Sequence, residues 1–550
     1  MAVSLAATSA YGGAGKDWPV FGGDTANTRH STLDQINTGN VGDLKVAWMH
    51  SLGSMNSQET TPLIIDGVMY ASTASGPAYI FAIDAATGRN IWTHQPEMPA
   101  DYHSVVCCGH VNRGVAYANG RIFFGRLDAV LVALDAKTGE ELWQTEVRPY
   151  AGGFSMTSPP VIVGDKVIAG HGGGEYGVRG AILAYDQATG EKLWETFTIP
   201  GPGEPGNETW KGDSWQTGGG TAWLWGSYDA DLNLVYFGTS NAAPWGGQTR
   251  GHDSVDIGEF TNLHTASQLA LDPDTGKIVW HYQMTPSDVW DYDGVNEGIL
   301  VDLKLAGNDV PALLKADRNG FFYVLNRANG DLLSAEPFVP VNWATKVDME
   351  TGMPIQNPKY RPTLDTWARG ICPNLFGGKN WMPMSYSEQT GLVYIPTFNL
   401  CMDMVNREQE FVEGSFYLAQ EFDLDIAGEG GYLSEYKAWD PVTQKKVWGI
   451  KEDLPFLGGA LTTAGGLLFY GNVSGILKGV DAKTGDILWN FQTDSGISQA
   501  PVTFEVGGKQ YLTVVTGRLV GPPSFLGAIG ERVIAASPPG GTIITFELGG

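Results

Sequence analysis

The chain has 550 residues, 43% of them hydrophobic and 17% charged, with a formal net charge of −26. The excess of acid argues against nucleic acid and anionic membrane surfaces as partners, and no apolar run approaches the roughly 18 residues of a spanning helix. A chain this long is expected to form several domains or one large repeat architecture. Its start, Met1–Ala10, has the small residues of a signal-peptide cleavage region but neither a basic beginning nor a full apolar stretch. Residues 1–17 are therefore expected to be a leader stub or unstructured segment, and 18–550 a single domain.

Along the chain the phrase Ala-x-Asp-x-x-Thr-Gly-x-x-x-Trp recurs at 82–92, 133–143, 184–194 and 270–280. It returns in worn form at 438–448, where Gln444 replaces the Gly, and at 479–489; a copy at 324–333 ends on Leu333. Each copy predicts strand, turn, strand: the Asp caps the turn, the Gly supplies a positive φ, and the second strand ends on an aromatic side chain that must be buried. The gap between Leu333 and Trp448 has room for two units, with a strand pair expected within Tyr386–Ile395. The spacing predicts an all-β fold, an eight-bladed β-propeller whose repeat tryptophans dock between blades. Trp223, Trp225, Trp290 and Trp381 stand outside the phrase and need another explanation.

Two further features carry chemistry. Adjacent cysteines bridged to each other form a strained ring, so Cys107 and Cys108 read ordinarily as two buried thiols; an oxidising compartment would favour bridges, and the even count of four, with Cys372 and Cys401, allows them. Cys372 and Cys401 flank what reads as one strand pair, so they are expected to pair with each other. Trp290-Asp291-Tyr292-Asp293-Gly294 places two carboxylates one residue apart. On extended chain they would share a face and repel unless a cation sat between them; the plainer alternative is two solvated loop aspartates. Cys-x-x-Cys-His is absent, so no covalently attached c-type haem is encoded.

Cys107-Cys108-Gly-His-Val-Asn-Arg113, Gly172-Gly-Gly-Glu175, Gly238-Thr-Ser-Asn241, Trp290–Gly294 and Asp317-Arg318-Asn-Gly320 together resemble the pyrroloquinoline-quinone (PQQ) alcohol dehydrogenases, in the right order from about Trp18 to the end. The resemblance implies an axial funnel holding PQQ between a Cys107–Cys108 disulfide and Trp223. Around its rim it places Glu59, Arg113, Thr157, Gly172, Gly173, Gly174, Thr221, Arg318 and Asn380. Glu175, Asn241 and Asp291 are the implied ligands of one metal ion, hard oxygens for a hard cation. The implied chemistry is oxidation of an alcohol to an aldehyde or ketone, with Asp291 as base and hydride passing to the quinone C5 polarised by the metal. The implied acceptor is a separate c-type cytochrome, the implied compartment the periplasm, and the assembly it allows a homodimer.

Two departures from better-known members set further expectations. Asp293 resembles the extra ligand of lanthanide-dependent members, favouring a lanthanide with Ca²⁺ as the alternative. Leu457 stands where many relatives carry Trp over the substrate, which predicts room for secondary or bulky alcohols. The competing readings are a PQQ enzyme for sugars or polymeric alcohols, with choice made by the insertions near 340–370, 401–435 and 522–526, and a non-catalytic propeller scaffold.

Overall fold

A computed structural model describes residues 13–251 and 260–549. Most of the expected leader segment, residues 1–12, lies outside the described residues; Ala14 is already buried and bridges to Ser31.

The described residues fold into seven four-stranded antiparallel sheets and one of five, in which a short parallel strand, His30–Ser31, joins Leu461–Thr463. These are the blades. Seven are built from consecutive strands along the chain, one of them interrupted by a long insertion; the remaining blade closes the ring, because the N-terminal strand Leu44–Ser51 pairs with the C-terminal strand Thr542–Leu548. Circular closure leaves no unpaired blade at either end of the array.

The repeat phrase is the joint between blades. In the first consecutive blade it spans the last two strands, Ile80–Asp84 and Asn90–His94, and Asp84 accepts the amides of Ala86 and Thr87 across the turn. The indole N–H of a repeat Trp donates to the carbonyl that follows the next repeat's turn residue: Trp92 to Ala136, Trp143 to Gln187, Trp194 to Pro273, Trp280 to Arg327 and Trp448 to Ala482. Its ring lies on the next turn's glycine, so that a Cβ on Gly139 (φ +76°) would stand 2.6 Å from Trp92. Trp48 makes the same joint, to Ala85 and Gly88, although no repeat phrase precedes it. The copy that lost its Trp, at Leu333, is followed by the copy that lost its glycine, and the Gln444 amide donates to Ser334 across that joint. The two defects belong to one interface.

The gap before Trp448 holds one blade rather than two. Ser385–Ser387 and Leu392–Phe398, the expected strand pair, are its inner half, and Ser434–Asp440 and Lys445–Glu452 its outer half. The surplus chain forms a two-stranded sheet (Ala344–Val347 with Pro354–Gln356) and a three-stranded one (Ala368–Ile371, Leu400–Asn406, Gln420–Ala427). Both expected disulfides are present, and Cys372–Cys401 fastens this second inserted sheet.

Topology fixes where a site can form. In an antiparallel four-stranded sheet, entry to the first strand and the loop between the second and third strands lie at one end, while the repeat turn lies at the other. Glu59, Arg113, Thr157, Trp223, Asp291 and Asn380 all precede the first strand of a blade, while Glu175, Asn241 and Arg318 sit between second and third strands. The candidate residues thus converge on the end of the ring opposite the repeat turns.

Candidate active site

At that end lies a cavity of about 230 Å³ lined by Glu59, Cys107, Cys108, Arg113, Thr157, Gly172, Gly173, Glu175, Trp223, Asp291, Arg318 and Asn380. Gly174, Thr221, Asn241 and Asp293 stand one layer behind the wall. A Cβ on Gly174 would lie 3.0 Å from Asn241 Oδ1 and 3.5 Å from Thr221 Oγ1, so its lack of a side chain keeps that layer together.

The carboxylate pair does not reach the site by strand alternation. Asp291 is left-handed (φ +61°), a conformation uncommon outside Gly, Asn and Asp, and the loop around it turns rather than extends. Asp288 holds the turn by accepting the amides of Trp290 and Tyr292, and the Trp290 indole, fully buried, donates to the Tyr360 carbonyl. Both carboxylates nevertheless converge on Arg318, Asp291 Oδ2 at 3.2 Å and Asp293 Oδ2 at 3.1 Å. Asp293 is 1% exposed, so the alternative of a solvated loop residue is excluded. It also accepts the Trp223 indole N–H and the Asn241 amide.

Burial governs the electrostatics. It raises Glu175 to about 7, with Asp293 adding to the shift, and raises Asp291 well above the carboxylate range, where Arg318 opposes and Asp293, Glu175 and Asp288 reinforce it. Asp293 is also raised by burial. Burial disfavours the Arg318 charge, but Asp293, Asp291 and Glu175 outweigh it and hold the guanidinium charged. Across the cavity Glu59 and Arg113 form a buried pair at 2.8 Å, and Arg113 and Arg318 lie 5.0 and 5.6 Å from the Trp223 ring centroid. Asn380 accepts from Arg318, and Thr157 donates to the Trp223 carbonyl.

Apart from Ser155 and the Tyr176 hydroxyl the remaining lining is apolar: Trp245, Phe376, Trp381, Phe416, Phe422 and Phe525 among others. Of these, Trp381 was legible as a tryptophan outside the repeat; the phenylalanines come from the insertions and carry no local signal. Leu457 does not line this cavity. It is 1% exposed and packs in a core with Tyr394, Tyr436 and Tyr470, so it is no lid, and the expectation of extra substrate room based on it falls.

His171 supports the glycine segment. Its Nδ1 lies 2.9 Å from the Gly172 carbonyl and its Nε2 accepts the Ala181 amide, an arrangement that requires neutral imidazole. Burial lowers its pKa from 6.5 to about 4. The stability this histidine contributes is full above pH 6.5 and is lost as pH falls towards 4. We expect the advantage of the wild type over His171→Gln to shrink by up to about 3 kcal/mol over that window, read as converging urea midpoints at neutral and acid pH.

Fold and site together define a propeller enzyme with an axial cavity, acidic and oxygen-rich at its floor and aromatic at its mouth. The glucose/ethanol/alcohol dehydrogenase β-propeller (PQQ) family model matches residues 18–364 and 433–512. The chain is 42% identical to the quinoprotein alcohol dehydrogenase PedH of Pseudomonas putida, over 94% of this chain and 89% of that protein. It is 40% identical to a lanthanide-dependent methanol dehydrogenase of Methylacidiphilum fumariolicum, over 96% and 92%. A solved europium-containing methanol dehydrogenase superposes with a TM-score of 0.92 at 39% identity, covering 97% of this chain and 98% of that one. This chain belongs to the PQQ-dependent alcohol dehydrogenase family.

The residues present fit both groups the family implies. Asn241 Oδ1 and Asp291 Oδ1 are buried without hydrogen-bond donors, and the carboxylates beside them are raised in pKa, the signature of oxygen ligands short of positive charge. Arg318 reaches both aspartates, and among the described residues no three His, Cys, Asp or Glu side chains form a ready metal cluster, so the set depends on the Asn241 oxygen. For a flat polyanionic quinone, the vicinal disulfide and the Trp223 ring offer flat surfaces, and Arg113 and Arg318 offer charge.

Proposed function

We propose that the axial cavity binds PQQ with one metal ion and oxidises alcohols to aldehydes or ketones. The observation that carries this reading is the convergence of Asp291 and Asp293 on Arg318 at the floor of a cavity lined by the Cys107–Cys108 bridge. In this reading Cys107, Cys108 and Trp223 give the cofactor its flat faces. Glu59, Arg113, Thr157, Gly172, Gly173, Gly174, Thr221, Arg318 and Asn380 give it polar contacts. Glu175, Asn241, Asp291 and Asp293 are the oxygen donors to the metal. When bound, PQQ supplies the hydride-accepting quinone carbon and the metal the charge that polarises its carbonyl.

The protein's own part is positioning and proton transfer. Arg318 Nη1 donates to the Asp291 backbone carbonyl and lies 3.2 Å from Oδ2, which leaves Oδ1 without a donor. With a cation held at the floor Asp291 would be ionised, and it would receive the hydroxyl proton of the alcohol. The aromatic mouth excludes water and desolvates the body of the substrate. The electrons of each turnover would pass one at a time to a separate c-type cytochrome, whose basic surface the net charge of −26 would attract. The two disulfides support an oxidising compartment, the periplasm.

The apolar mouth also disfavours sugars, whose hydroxyls would lose water without partners there. With protein loaded with PQQ and metal, we expect kcat/KM for aliphatic and aromatic alcohols to exceed that for glucose at least about tenfold, a difference of about 1.4 kcal/mol in transition-state binding. A preference for glucose would move the reading to the sugar enzymes.

A further inference from the structure

The inserted chain around the Cys372–Cys401 bridge touches the catalytic loops as well as the cavity. Tyr292, between the two aspartates, is fully buried, with its ring 5.8 Å from Trp290 and 5.5 Å from Trp343. Its hydroxyl donates to the Pro373 carbonyl at 2.6 Å. Pro373 follows Cys372, which is bridged to Cys401, and the Asn374 amide donates to the Leu400 carbonyl beside that bridge. The same segment grips Arg318: the Leu375 carbonyl and Asn380 Oδ1 accept from its guanidinium, and the Gly378 amide donates to its backbone carbonyl. A Cβ on Gly377 would stand 2.6 Å from the Arg318 Cα, so the contact is backbone to backbone. Trp343, also in the insertion, donates to the carbonyl of Asn319, the residue after Arg318.

We propose that Tyr292 and the Cys372–Cys401 bridge are positioning groups: the bridge pins the Cys372–Asn380 segment, and that segment holds Asp291 against Arg318. This rests on Asp291 as the base. The physical need is plain. Asp291 is held in a left-handed backbone beside three other carboxylates, Asp293, Glu175 and Asp288, and repulsion would swing it out of line unless its neighbours were fastened. Asp288 fastens the loop through its amides, Trp290 through Tyr360, and Tyr292 through Pro373. Of these anchors only Tyr292 ties the loop to the wall that also holds Arg318, so it sets the spacing of the pair.

Tyr292→Phe keeps the packed ring and removes one hydrogen bond. We expect kcat to fall about tenfold with KM within about twofold, because a displaced base weakens the transition state more than substrate binding. Amide hydrogen exchange should quicken in residues 288–294 and not in the blades. Cys372→Ser with Cys401→Ser should give the same signature, and adding Tyr292→Phe to it should lower kcat by less than about twofold more, since both act through Pro373. Unchanged kcat in Tyr292→Phe, exchange that rises uniformly over the blades, or effects that multiply would each overturn the proposal. If the bridge variant does not fold, kcat and exchange of Tyr292→Phe decide alone. Failure of the base assignment is read separately, from activity surviving in Asp291→Asn, while the exchange experiment still reports whether Tyr292 holds the loop.

Discussion

Replacing Asp291 by Asn is expected to lower kcat by about 10² to 10⁴-fold, the contribution of a positioned general base, while leaving the propeller folded. Asn is the informative choice because the residue sits at φ +61°, which Asn tolerates and Ala does not without strain. The shape is kept, Arg318 retains Asp293 as its partner at 3.1 Å, and one of several mutually repelling buried carboxylates is removed. The melting temperature should therefore hold or rise, so lost turnover cannot be charged to unfolding. Activity within about tenfold of the wild type would be too much for a missing base, and the role would have to pass to another carboxylate of the floor.

The second large effect concerns the metal. Glu175 and Asp291 with the neutral Asn241 oxygen would suit a divalent ion; Asp293 adds a third protein charge at the same floor, buried and turned inward. Three carboxylates beside a polyanionic quinone are better balanced by a trivalent ion, which also polarises a carbonyl more strongly. We expect the wild type to turn over faster with La³⁺ than with Ca²⁺, and Asp293→Ala to lose at least about tenfold in La³⁺-supported activity. Tb³⁺ offers a readout independent of turnover: Trp223, whose indole donates to Asp293 at 2.9 Å, should sensitise its luminescence, and the variant should bind it more weakly. Full activity with Ca²⁺, indifferent to the substitution, would leave Asp293 a partner of Arg318, Trp223 and Asn241 with no part in holding the metal.

What the sequence disclosed and what it hid follow from where each lies in a blade. The repeat phrase reports the turn between third and fourth strands, where one joint is built again and again from Asp, Gly and Trp, so the propeller was legible, down to the paired loss of Trp at Leu333 and Gly at Gln444. The site lies at the opposite end, where every loop differs. There no period exists, and the candidate residues came from family resemblance; the structure brings most of them to one cavity and sets Gly174, Thr221, Asn241 and Asp293 just behind its wall. Asp291 and Asp293 do come together, on Arg318, but by a turn that Asp288 holds rather than by alternation along an extended chain. The family resemblance misled at Leu457, since a matched position does not by itself say whether the residue lies over a pocket or is packed between blades. The aromatic mouth was invisible because Phe416, Phe422 and Phe525 meet only through folded insertions.

The most direct test is reconstitution. Apoprotein supplied with PQQ and La³⁺ together should reduce an artificial one-electron acceptor in proportion to added alcohol, with aldehyde or ketone formed, and should do neither when PQQ or metal is omitted. Alcohol oxidation that proceeds without PQQ, or none with PQQ and either La³⁺ or Ca²⁺ bound, would contradict the account.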